Sequence, residues 1–186
     1  MVEGTGSVIA SINELITKNN NGSYVIYVKR NYQLWSYINK ILDVVENYGY
    51  HTLFITRMNQ SRVARNVLHS INIMYWLAME NGENIIKPTE YSIIQLTMED
   101  FIGIHKEKSI IICEGLEYLI FYNGFEKIYK MVSRISDVVY NNNSIFFLLV
   151  DYNAFNNKEL SLLETSFQPL TTEFADKEAT DTTDST

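Results

Sequence analysis

Five short, nearly continuous apolar runs set the limits on what this chain can fold into: Tyr24 to Val28, His51 to Thr56, Asn72 to Leu77, Ser109 to Cys113 and Ile145 to Val150. They are rich in β-branched and aromatic residues, and apolar side chains follow one another rather than alternating with polar ones. A strand with one wet face alternates, whereas a strand covered on both faces does not. Between the runs lie helical patterns. Leu34, Ile38, Ile41, Leu42 and Val45 repeat at helical spacing after Asn31, which occupies a cap position, and Gly49 ends that pattern. Phe125, Ile128, Val132, Ile135 and Val139 repeat at intervals of three and four. Strand, helix and strand with short connections form a right-handed parallel unit. The expectation is a three-layer α/β sandwich with a five-stranded, mostly parallel sheet.

The remaining connections are read the same way. Ser7 is expected to cap a short first helix, with Val8, Ile12, Leu15 and Ile16 on one face and residues 1–6 loose. Ser61 is expected to cap a helix holding Val63 and Val67, and Glu80 to Pro88 to form a loop. Thr89 caps a helix with Ile94, Phe101 and Ile102 inward. Asn156 or Asn157 caps a last one with Leu160, Leu163 and Phe167 inward, ended by Pro169. Tyr118, Phe121, Tyr122 and Phe125 are expected to be core. This divides the chain into an N-terminal helix and loop (1–22), one α/β domain (23–170) and a disordered acidic tail (171–186).

Charge and cysteine content narrow the function classes. The 186 residues carry a formal net charge of -7. Much of that lies in the tail, where Glu173, Asp176, Glu178, Asp181 and Asp184 face a lone Lys177. The balance argues against nucleic acid as a partner, and no apolar stretch is long enough to predict a membrane span. Glu3, with no basic region before the first apolar residues, predicts no secretory signal. The single cysteine, Cys113, sits inside an apolar run and reads as a small core residue, in keeping with a cytoplasmic protein.

Ligands of open α/β sheets lie beyond the carboxyl ends of the strands. Those ends carry Lys29 and Arg30, then Arg57, then Glu80, then Glu114 with Glu117, and lastly Asp151 with Asn153. Lys29, Arg30, Arg57, Glu114, Glu117 and Asp151 are therefore the ligand-binding candidates. A phosphate cradle needs glycines after the first strand so that backbone N–H groups reach the ligand. Residues 29–35, KRNYQLW, contain none, and Tyr32 and Trp35 stand at the helix start. Neither a serine-nucleophile elbow nor a zinc spacing of His51, His69 and His105 is present. No catalytic residue, cofactor or resident metal is expected.

The runs SIIICEGLEYLIFYNGF, LFITR at 53–57, MYWLA at 74–78, the pair Lys87-Pro88 and FLLVDYNAFNNKELSLLE at 147–164 together resemble an archaeal domain family of unknown function, number eight-three-five. The likeness covers about Tyr24 to Leu170. That family has an aspartate and a glycine after its fourth strand; here Glu114 replaces the acid and Gly115 is kept. The family looks like a degenerate relative of RecA and KaiC-type ATPases in which the phosphate loop is missing. The resemblance implies the strand order 3-2-4-5-1, with the first strand at an edge, and a sensory or interaction role beside signalling modules.

Three functions are weighed. The first is a non-catalytic regulatory, signalling or scaffolding domain acting by protein–protein contact, including a homodimer through Tyr24 to Val28 or the N-terminal helix. The second is a sensor of a small anion or nucleotide, held by Arg57, Arg30 and Lys29. The third, ranked last, is a metal-dependent hydrolase that gathers Glu114, Glu117 and Asp151 around one divalent ion.

Overall fold

A computed structural model describes residues 3–28 and 31–170. Seven helices and seven strands follow in the order α1 (Glu3–Thr17), β1 (Gly22–Val28), α2 (Asn31–Tyr48), β2 (His51–Thr56), α3 (Gln60–Asn66), β3 (Ile73–Leu77), β4 (Ile85–Ile86), α4 (Tyr91–His105), β5 (Ser109–Glu114), α5 (Leu116–Asn123), α6 (Phe125–Asn141), β6 (Ile145–Asp151), α7 (Asn157–Ser166) and β7 (Gln168–Pro169). The strands form one sheet in the order β4-β3-β2-β5-β6-β1-β7. Every pairing in it is parallel.

The sheet is buried on both faces, which is why its strands are apolar without alternation. One face carries Val25, Leu53, Ile55, Ile111, Cys113, Phe146 and Leu148 against α4, α5, α6 and α7. The other carries Ile26, Phe54, Ile110, Ile112, Phe147 and Leu149 against α1, α2 and α3. Both helical stripes read from the sequence point inward: Leu34, Ile38, Ile41, Leu42 and Val45 are buried, as are Ile128, Val132, Ile135 and Val139.

The sheet departs from five strands at its two edges. Ile85–Ile86 pairs with Trp76 and Leu77, so the segment from Glu80 to Pro88 contains β4 rather than loop alone. Gln168–Pro169 pairs with Tyr24 and Val25. The first long strand is consequently interior, and β7 covers part of the flank expected to be the sheet edge. A two-residue strand has no sequence period of its own; the neighbour it lands on creates it. The five inner strands run β3-β2-β5-β6-β1, the order that the resemblance implies.

The helix starts also shift. Backbone helix begins at Glu3 rather than after Ser7. Val8, Ile12 and Ile16 are buried within the chain's own second core. Asn59, not Ser61, caps α3, its side chain accepting from Arg62 N at 2.9 Å. Glu90 rather than Thr89 precedes α4 and makes no side-chain cap. Asn156 caps α7 in a reciprocal box with Glu159. Pro169 lies in β7, beyond the end of that helix.

Candidate functional site

Glu114 ends β5, and the register of β5 against β2 decides what it meets. Ile55 pairs with Cys113, so the next residues, Thr56 and Glu114, stand at the same level at the carboxyl ends of two neighbouring strands. The Thr56 hydroxyl donates to Glu114 Oε2 at 2.7 Å, and Arg57 N–H donates to the same oxygen at 3.2 Å. Arg57 Nε lies 3.5 Å from Oε1. Met58 N–H in turn donates to Thr56 Oγ1 at 3.0 Å, fixing the hydroxyl. Glu114 is 7 % exposed, so its charge is held almost out of water by these donors. Gly115 makes the approach possible. It has φ +100, and a Cβ there would stand 3.2 Å from both Cβ and Cγ of Arg57. Its carbonyl then accepts from Tyr118 and Leu119 N–H and starts α5.

Glu117 turns the other way. It accepts Asp151 N–H at 2.6 Å and so ties α5 to the end of β6. Its half-buried carboxyl is raised above the ordinary carboxylate value, first by loss of water and less by the nearby Glu114 charge, with the Asp151 hydrogen bond opposing. Asp151 accepts from Asn153 N–H at 2.9 Å, a local turn. The three carboxylates proposed for one metal ion are thus held by separate partners. Among the described residues no group of three or more His, Cys, Asp or Glu side chains is placed to hold a metal ion. Burial pushes the Cys113 thiol well above its usual value, which removes it as a nucleophile.

Of the six candidates, the structure brings Arg57 and Glu114 together and ties the Glu117 carboxylate to the backbone N–H of Asp151. Lys29 and Arg30 lie outside the described residues. Arg57 and Glu114 border a cleft of about 830 Å³ across the ends of β2, β3 and β5, where Glu80, Arg62, Trp76 and Tyr118 also line the wall. Such a volume suits a small ligand. Arg62 escaped the sequence reading because it lies inside α3, not at a strand end. Of the two bulky residues at the start of α2, Trp35 packs into the core while Tyr32 faces solvent. Phe121 and Tyr122 are exposed rather than core, and their rings meet edge-on at 5.1 Å. His51 and His105, 54 positions apart with no spacing signal, stack at 4.1 Å at the opposite end of β2.

The family model described as "Protein of unknown function (DUF835)" matches residues 33–167. No curated protein matches the chain. Among solved structures, domain III of the Thermotoga maritima replication initiation protein DnaA is similar with a TM-score of 0.48 and 10% identity. That match covers 91% of this chain and 62% of that one. No helix among the described residues is long and apolar enough to cross a membrane.

Proposed function

The chain belongs to the DUF835 family of proteins of unknown function, and we propose that it is a non-catalytic regulatory, signalling or scaffolding domain on a degenerate ATPase-like fold, acting through protein–protein contact. The observation that supports this reading is the state of Glu114. On a fold of this strand order the acid at the tip of the central strand is where a magnesium ion or a water would be handled. Here that acid is buried and engaged by Thr56, Arg57 N–H and the Arg57 guanidinium, so its role is to lock β5 to β2. A carboxylate with its oxygens engaged this way has little freedom to take a cation. The test is turnover of nucleoside triphosphates with Mg²⁺ by the full chain and by Glu114→Gln. The reading expects none from either; turnover lost on Glu114→Gln contradicts it.

A second reading, a sensor of a small anion or nucleotide, is favoured by the cleft. Arg57 contacts Glu114 through Nε, and its side chain is 55% exposed. Arg62 lines the same wall. Thermal shift against a nucleotide and phosphate panel distinguishes the readings. A sensor is stabilised by millimolar ligand, and the stabilisation disappears in Arg57→Ala with Arg62→Ala.

A further inference from the structure

The interaction reading needs a surface. On the flank of β1, β7 covers Tyr24 and Val25; the opposite flank leaves part of β3 open. On one side β3 pairs with β2 from Ile73 to Trp76. On its other side β4 pairs only with Trp76 and Leu77. Trp76 N–H donates to Asn84 O at 2.8 Å and Ala78 N–H to Ile86 O at 3.3 Å, so the even-numbered residues of this stretch turn their backbone groups outward. By the two-residue alternation of a strand, Met74 directs its N–H and C=O the same way. It does so upstream of the point where β4 begins, and no described strand pairs with it there.

Native sheets blunt such an edge with charge, proline or a covering element. The far flank follows that rule, ending in β7 with Pro169, which has no N–H to offer. β3, IMYWL, carries neither a charge nor a proline, and Ile73 is exposed. Beside the open edge runs a groove of about 450 Å³ between α3 and the sheet, lined by Val63, Val67, Ile71, Met74 and Trp76; Glu83 and His69 also border it, and His69 is engaged by Glu46 at 3.0 Å. Trp76 lines both this groove and the Arg57–Glu114 cleft, and its indole N–H is buried without an acceptor.

We infer that the outer edge of β3 and this groove form a docking site for an extended segment of a partner protein, which pairs beside Met74 and seats aliphatic side chains against α3. The inference rests on the interaction reading above and names its surface. Glu83 calls for a basic residue next to the aliphatic ones. The chain's own tail is a poor occupant by charge, because Glu173, Asp176 and Glu178 would meet Glu83. Backbone pairing supplies the affinity in such a mode, and alternate side chains supply the selectivity.

The experiment is selection of displayed random peptides of about twelve residues on the full chain, followed by amide hydrogen exchange of the complex. The expected peptides alternate Val or Ile with polar residues and carry a Lys or Arg. Their binding slows exchange at Met74 by about tenfold or more, and Ala64→Glu, an exposed change in the groove wall, weakens it by a similar factor. Peptides that bind without protecting Met74 and ignore Ala64→Glu overturn this surface and leave the interaction reading standing. A dimer that protects Met74 in the absence of peptide overturns the choice of a foreign segment. Failure to select any peptide, with no self-association, overturns both the surface and the interaction reading.

Discussion

Thr56 and Glu114, on neighbouring parallel strands, share a hydrogen bond of 2.7 Å at a level of the sheet where an active α/β enzyme keeps its chemistry. The bond joins β2 to β5 one residue beyond the last rung of their pairing, Ile55 with Cys113. An acid in water at such a position is available; an acid 7 % exposed with several donors is part of the scaffold.

Gly115 is the residue that lets Arg57 close over Glu114. Gly115→Ala places a side chain at φ +100 and within 3.2 Å of Arg57. Chemical denaturation is expected to show a loss of about 1–2 kcal/mol from the backbone alone, with a further loss from displacing Arg57. Gly49→Ala is the control: its φ is +68 but no atom lies within 4 Å of the added carbon. The smaller loss is expected there.

Glu117 carries a raised pKa because folding strips its water. The charged form is therefore disfavoured in the folded chain. Its cost is present at neutral pH, shrinks as pH falls through the raised value, and is gone below the ordinary 4.5. Glu117→Gln keeps an oxygen to accept Asp151 N–H and never carries the charge. Melting curves should show the variant more stable than the parent at neutral pH, with the gain vanishing below 4.5.

His105 has the opposite sign. Burial, and then the neighbouring His51, hold its pKa below 6.5, so the folded chain resists taking up the proton. Stability is full above 6.5 and is lost as pH falls from there through the lowered folded value. Phe101 and His51 pack on its ring at 4.7 and 4.1 Å, so His105→Phe fits the same slot. Comparing unfolding at about pH 7.5 and about pH 5.5, the parent should lose more stability than the variant.

The inner sheet is legible in the sequence because burial on both faces leaves uninterrupted apolar runs such as Ile110–Cys113 and Phe146–Val150. The edge strands are not, since Ile85–Ile86 and Gln168–Pro169 are too short to carry a period and exist through Trp76 and Tyr24 opposite them. Glu114 stands out as an acid closing an apolar strand, but its fate depends on Thr56, which reads as the unremarkable end of HTLFIT. The link becomes visible once β2 and β5 are known to be neighbours, because register then sets both residues at one level. Phe121 misleads for a simpler reason: aromatic clustering does not tell which side of a short helix faces water. The His51–His105 stack and the groove beside β3 are wholly tertiary.

A double-mutant cycle of Thr56→Val and Glu114→Gln, read by unfolding free energy with nucleotide turnover assayed on the same four proteins, separates a structural lock from a working acid. A structural lock predicts that each change destabilises the fold and that the two couple by about 1–2 kcal/mol. It also predicts that turnover is absent from all four. Additive, near-neutral stability changes, together with turnover that depends on Glu114, would contradict it.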